Sequence, residues 1–185
     1  MTESLNIFKH RFEPALLTYQ SLAVKEAFGN DIFFVIGKAS SWEVDTAPPE
    51  LDEIEGIPDP FLWIRVGQVK LALNDTLGTV SGAYRMTQDL KGAQWSVFAP
   101  ELYEQTPYIN EASHLYLTAD LTQAMTSISA FRAVALVAHP VLAEGISPTL
   151  MQYEPSNIVQ EGLILWRSFH SPININQTVR LEVIL

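Results

Sequence analysis

The sequence predicts a mainly β protein: a layered antiparallel β-sandwich with one N-terminal α-helix and long proline-rich loops. Several short runs alternate apolar and polar residues with period two, which is typical of strands with one buried face. Three further runs, 32–36, 133–138 and 163–166, are apolar at every position. Because each strand of a two-layer sandwich has one wet face, these runs require cover on both sides, from a middle layer of the fold or from another subunit.

Composition indicates one ordered domain spanning residues 1–185. A chain of 185 residues is long enough to bury a substantial core without metals or disulfides. Its apolar fraction of 48% and charged fraction of 17% are those of a globular protein. Two segments, at about 40–60 and 99–112, are rich in proline and show no periodicity. They are predicted as loop excursions that make contacts.

Charge and cysteine usage exclude several classes of protein. The net charge is −10 and the 11 basic residues are scattered, so nucleic-acid binding is not expected. There is no cysteine, which removes disulfides, thiolate nucleophiles and Cys-based metal sites. The uncharged run 133–143 is too short for a bilayer, which needs about 20 residues. No signal peptide follows Met1, so the chain is expected to avoid membranes.

The elements are predicted in chain order from capping and periodicity. A helix is expected from Pro14, which suits a first helical position, to Phe28, before Gly29-Asn30. Its face with Ala23 and Val24 is predicted to be buried, and its face with Ser21 and Lys25 to be exposed. The remaining elements are predicted as strands at 31–37, 61–74, 77–87, 114–118, 130–138, 163–170 and 178–185.

The run 61–74 changes phase within itself. Leu62 and Ile64 alternate in one phase, whereas Leu71 and Leu73 alternate in the other. A single strand keeps its phase, so a bulge or a bend is predicted at Gly67-Gln68.

No motif for catalysis or for a cofactor is present. The chain has no dinucleotide, P-loop, zincin or nucleophile-elbow pattern. Its four histidines are far apart in sequence and are interpreted as structural. We therefore expect no catalytic residues, no metal and no cofactor. Five acids stand in one stretch, and they are interpreted as a solvated loop or as a cation site; they are Glu50, Asp52, Glu53, Glu55 and Asp59.

The tryptophans suggest two kinds of surface. Trp166 lies in a run that is apolar on both faces and is predicted to pack in the core. Trp63 lies opposite Leu62 and beside Arg65, as an interface anchor would. Together with Trp42 and Trp95, it could instead form a stacking platform for sugars. The proline-rich flanks favour subunit contact over sugar binding.

The segment after residue 31 resembles a known family. It reads IFFVIGKASSWEVDTAPPELDE, and its characteristic positions are Phe34, Gly37, Lys38, Trp42, Pro48 and Pro49. This pattern resembles the baseplate wedge subunit of T-even-type contractile-tailed bacteriophages, in a shortened form. The ending EGLILWRSFHSPI, followed by Gln177-Thr178 and a last apolar strand, is similar to that family's ending. The segment between Trp95 and Ser113 is far shorter than the family's central insertion.

The resemblance implies a structural role in the tail baseplate of a virion. It implies a homodimer that bridges other wedge proteins after assembly in the host cytoplasm. The candidate subunit-contact residues are Trp42, Pro48, Pro49, Trp63, Arg65 and Trp95. The alternatives are a carbohydrate-binding β-sandwich module acting in host receptor recognition, and a hydrolase with an unrecognised site.

Overall fold

The structure is a computed structural model that describes residues 14–28, 31–43, 48–75, 84–90, 93–98, 112–121, 128–175 and 180–185. In this part of the chain, one α-helix, α1 (Pro14–Phe28), precedes a series of strands that pair antiparallel. The predicted mainly β class with antiparallel sheets and an N-terminal helix is confirmed. The layering of the sheets stays a prediction.

The strands follow the helix in short succession. They are β1 (Ile32–Gly37), β2 (Pro60–Arg65), β3 (Gln68–Asn74), β4 (Tyr84–Leu90), β5 (Ala93–Val97), β6 (His114–Asp120), β7 (Ala130–Ala138), β8 (Val141–Leu142), β9 (Gln152–Tyr153), β10 (Ile158–Gln160), β11 (Leu163–Asn174) and β12 (Arg180–Ile184). The first sheet has the order β11-β7-β1-β2-β9, the second has the order β12-β6-β3-β5-β4, and β8 pairs with β10 in a small ribbon.

The chain forms two compact units. One comprises Met1–Glu26, Lys70–Tyr116 and Ile184–Leu185, and its described core is Ala72, Val97 and Tyr116. The other comprises Ala27–Val69 and Leu117–Val183 and contains the whole first sheet. Its core includes Phe33, Val35, Ile57, Trp63, Ala135, Val137 and Tyr153. The organisation as a single domain stays a prediction.

The change of phase in 61–74 marks a passage between sheets. β2 ends at Arg65 and belongs to the first sheet, whereas β3 begins at Gln68 and belongs to the second. Between them, the backbone N–H of Gly67 donates to the carbonyl of Thr118 over 2.8 Å. The predicted bend is confirmed, and its consequence is larger than a bulge, because each half of the run serves a different sheet.

The predicted orientation of α1 is wrong where the structure describes its side chains. Ser21 is buried and its hydroxyl donates to the Ser113 carbonyl over 3.0 Å, whereas Ala23 and Val24 are exposed. Apolar residues nearly surround this helix in the sequence, so periodicity alone does not select the buried face. A hydrogen bond satisfies the serine, which makes its burial tolerable.

The strands that are apolar on both faces fall into two groups. Residues 32–36 and 133–138 are buried throughout in the single chain, as the central strands β1 and β7. Their cover therefore comes from within the chain and needs no second subunit. The third run, 163–166, lies in the end strand β11, where Leu163 is 57% exposed.

Several predictions fall outside the described residues. The first part of the predicted strand 77–87 does so up to residue 83, as do Gly29-Asn30 after the helix and nearly all of the excursion 99–112. The strands β5, β8, β9 and β10 were not predicted. Three of these four have only two or three residues, too few to establish a period of two.

Candidate subunit-contact surface

Arg167 on β11 holds the acidic loop in place. Its Nη1 donates to the carbonyls of Ile54 and Gly56 over 2.6 and 3.0 Å, and its Nη2 donates to the carbonyl of Leu51. Gly56 has a φ of 71°, in the left-handed region that favours glycine. A guanidinium presents its donors in a fixed fork, so three accepting carbonyls define the course of the loop around it.

The acids of this loop point outward. All five are exposed: Glu50, Asp52, Glu53, Glu55 and Asp59. One oxygen of Glu53 accepts a hydrogen bond from the N–H of Glu50 over 3.1 Å, and Asp59 pairs with Lys38 at 3.4 Å. Within the described ranges, no three acidic or histidine side chains converge as metal ligands would. The arrangement presents a negative surface of fixed shape.

Trp42 is anchored to β11. Its indole Nε1 donates to the carbonyl of His170 over 3.0 Å, and its ring lies 5.6 Å from that of Phe169. The ammonium of Lys38 lies 5.4 Å from the centre of the indole, within the range of a cation–π contact. The buried Arg132 of β7 donates to the carbonyl of Ala39 over 2.7 Å, so this segment is tied to the sheet at two points.

A groove of about 490 Å³ opens between these segments. It is lined by Lys38, Ser41, Trp42, Glu43, Pro49, Glu53 and Ile54. The structure thus brings two of the predicted contact residues, Trp42 and Pro49, to one site, with Pro48 half-buried beside them. Trp42 is 8% exposed, so it shapes the wall of the groove without presenting an open ring face. The anchored backbone suits the contact of another chain, because little ordering is left to be done on binding.

Trp63 and Arg65 serve this chain's own packing. Trp63 is 1% exposed in the core, so its ring offers no surface to a partner. The guanidinium of Arg65 lies 4.5 Å above the ring of Phe33 and donates to the hydroxyl of Tyr153 over 3.2 Å and to the carbonyl of Pro148. Arg65 therefore fastens the segment that leads into β9.

Trp95 belongs to the other compact unit. Its ring lies edge-on to His114, 4.9 Å away, and burial lowers the pKa of that histidine. Trp42 and Trp63 are buried, and Trp95 and Trp166 are half-buried. A sugar platform requires open indole faces. The exposure of the four tryptophans gives the carbohydrate hypothesis no support.

His170 is half-buried on β11. Its Nδ1 donates to the carbonyl of Ser171 over 2.9 Å, and its ring meets Phe131 edge-on at 5.5 Å. The buried Nε2 finds no hydrogen-bond partner among the described residues. Burial lowers the pKa of His170, because a second N–H would be desolvated without an acceptor, while the bond to Ser171 acts in the opposite direction.

The edge of β11 is a candidate contact feature that no predicted site residue included. β11 ends the first sheet and pairs with β7 in the described part of the chain. Around its beginning, Leu163, Val159 and Val141 are 57%, 70% and 47% exposed. The sequence did contain a signal, since the run 163–166 is apolar on both faces and therefore needs cover on both.

No helix in the described residues has the length and hydropathy to span a bilayer.

Comparison with known proteins identifies the family. No curated protein matches the chain. The sequence model of one family, described as baseplate wedge 3 tail fiber network component, matches residues 18–184. This match spans nearly the whole chain and agrees with the resemblance carried by Trp42, Pro48 and Pro49. The chain therefore belongs to the baseplate wedge 3 tail fiber network component family, whose members are structural proteins of the phage tail baseplate.

Proposed function

We propose that this chain joins neighbouring proteins of the baseplate wedge and pairs with a second copy of itself. The observation that carries the proposal is the family match over residues 18–184. Membership in that family implies association with other baseplate proteins in the virion tail. Formation of the wedge in the host cytoplasm, before the tail is complete, is part of the same proposal.

The geometry supports a role in contact. A groove lined by Trp42 and Pro49 is bordered by the acidic loop, which Arg167 holds by hydrogen bonds to its carbonyls. The end strand β11 also carries exposed apolar side chains, among them Leu163. Exposed apolar surface on a folded protein commonly marks an interaction site.

The proposed role involves no catalysis. The nitrogens of a catalytic histidine must reach a substrate. His170 instead commits Nδ1 to a backbone carbonyl and buries Nε2, and His114 packs against Trp95. His139 is exposed and pairs with Asp31 at 3.1 Å.

The homodimer is tested by sedimentation velocity on the purified chain at micromolar concentration. We expect the dimer mass, with an interface near the standard total of about 1,600 Å². A monomer at every concentration up to about 100 μM, where a contact of that size is normally stable, contradicts the pairing.

The bridging role is tested by infection with a phage that lacks this chain. We expect wedges that stop at an intermediate stage, and electron microscopy of the particles shows which neighbours are missing. Purified chain added to the extract should restore complete baseplates. Complete baseplates formed without the chain would contradict the bridging role.

A further inference from the structure

We propose that the outer edge of β11, which no other described strand pairs with, receives an extended, basic segment of another wedge polypeptide by strand addition. The inference rests on the proposed function and names the chemistry of one partner. The incoming segment forms main-chain hydrogen bonds with the edge, places apolar side chains on the exposed patch beside it, and directs lysines or arginines to the acidic loop.

The first argument is the form of the edge. β9, at the other end of the sheet, has only Gln152–Tyr153, whereas β11 runs from Leu163 to Asn174. Proteins normally blunt long edges with bulges or proline. β11 has an irregular stretch between Phe169 and Ile173 that contains Pro172, so this protection covers its second half. The run 163–169 contains no proline, and a single shift between Ile164 and Trp166 is its one irregularity against β7.

The second argument is the apolar patch at the beginning of β11. Leu163 of β11 pairs with Ala138 at the end of β7. Val141 of β8 comes three residues after Ala138 and pairs with Gln160 of β10. The pairing therefore brings the backbones of Val141, Val159 and Leu163 towards the end of β7, and all three side chains are exposed. Isolated exposed apolar residues are ordinary, but a group of them near a strand edge suits the addition of another strand.

The third argument is charge. Arg167 is part of β11, and its bonds to the carbonyls of Leu51, Ile54 and Gly56 keep the acidic loop alongside the strand. Glu161 reaches the same place, since its Oε2 lies 3.7 Å from the position that a β-carbon on Gly56 would take. The side chains of an added strand alternate between two faces, so one face meets the apolar patch and the other meets this negative surface. Complementary charge selects a basic segment.

The same charge argues against a second copy as the occupant. A copy carries the same acidic loop and a net charge of −10. Pairing two β11 edges would bring two such loops beside one shared strand pair, and like charges in that position are destabilising. A homodimer is therefore expected to use another surface.

The test uses the full chain and a fluorescein-labelled synthetic peptide of about twelve residues in which valine or threonine alternates with lysine, so that one face is apolar and the other basic. Binding is followed by fluorescence anisotropy.

Leu163→Lys places a positive charge on the edge and removes the apolar contact, and we expect it to weaken binding by about tenfold or more. Leu150→Lys is the matched control, because Leu150 is an exposed leucine that precedes β9 and undergoes the same change of charge. Its binding should stay within about twofold of that of the unmodified chain.

A second measurement separates strand addition from simple charge attraction. A peptide of the same sequence with alternate backbone nitrogens methylated keeps its charge and loses its donors, so it should bind about tenfold more weakly. Amide exchange in 163–169 should slow with the unmethylated peptide only, and exchange in β9 should stay unchanged. Equal binding of both peptides, no binding of either, or equal effects of the two lysine substitutions would overturn the proposal. Self-association that Leu163→Lys abolishes would assign the edge to a second copy and overturn it too. None of these results bears on whether baseplates form without the chain.

Discussion

At the scale of single residues, two glycines separate the two reasons for which a position can require glycine: a positive φ, and close packing that leaves no room for a β-carbon. Gly145 and Gly162 have φ of 80° and 86°. A β-carbon on Gly145 would meet nothing within 4 Å, whereas on Gly162 it would stand 2.8 Å from the carbonyl atoms of His139 and closer still to the Ala138 oxygen. The turn into β11 therefore needs glycine for two reasons, and the turn at 145 for one.

Gly145→Ala and Gly162→Ala form a matched pair for measuring the two effects. We expect Gly145→Ala to lower the free energy of unfolding by about 1 kcal/mol, through backbone strain alone. Gly162→Ala should lower it by about 3 kcal/mol or more, because main-chain atoms must move as well. Urea unfolding followed by circular dichroism measures both. Equal losses would show that the approach of β7 to Gly162 is not a constraint.

His170 makes the free energy of unfolding decrease as the pH falls. Burial lowers its pKa in the folded protein below the usual value for histidine, so the unfolded chain binds more protons as pH falls. Its contribution is fully present above about pH 6.5 and is lost as pH decreases from there through the lower, folded pKa.

His170→Asn isolates this contribution. The asparagine amide can still donate to the Ser171 carbonyl but does not titrate, whereas His114, with its own lowered pKa, is unchanged in both proteins. We expect the free energy of unfolding to fall less in His170→Asn than in the unmodified chain between about pH 7.5 and pH 5.5. Identical slopes in urea titrations at each pH would show that His170 does not account for the loss.

Residue roles were harder to predict than residue types. The sequence singled out Trp42 and Pro49, which share a groove, but it equally singled out Trp63, which fills the core. In the sequence, a tryptophan near an arginine on a strand looks the same whether it lies at a surface or in the core. The difference arises from Tyr153 and the segment before it, which cover Trp63 and are distant in sequence.

At the scale of elements, the acidic loop contains no helix or strand, and Arg167 supplies three of the hydrogen bonds that hold it. Arg167→Lys should lower the free energy of unfolding by about 2 kcal/mol, because an ammonium cannot reach all three carbonyls that the guanidinium reaches. Amide exchange in residues 50–57 should accelerate in the same variant. Arg180→Lys, at an exposed pair 3.7 Å from Glu182, is the control and should change stability by less than about 0.5 kcal/mol. Unchanged exchange in Arg167→Lys would mean that the loop is held by other contacts.

Strands that bury one or both faces were predicted from periodicity, and α1 and β7 have the predicted bounds. The phase change at Gly67 was also readable, because alternation is a local property of the chain. Pairing is different. The sequence contains nothing local that puts β2 and β3 into separate sheets, or that makes β7 a central strand and β11 an end strand. The edge, and with it the contact surface, follows from pairing and therefore could not be found by periodicity alone.

At the scale of the whole molecule, net charge predicts opposite salt dependences for the two proposed kinds of contact. Two copies of charge −10 repel at long range, so salt should tighten a homodimer by screening that repulsion. A basic segment beside Glu50, Asp52 and Glu55 is attracted, so salt should weaken its binding. Between about 0.05 M and 0.5 M NaCl, over which the screening length decreases severalfold, the two dissociation constants should move in opposite directions. Sedimentation velocity measures the first and peptide anisotropy the second, in the same buffers. A homodimer that weakens with salt would show that its interface is built on complementary charge, and the argument that keeps a second copy away from β11 would then fail.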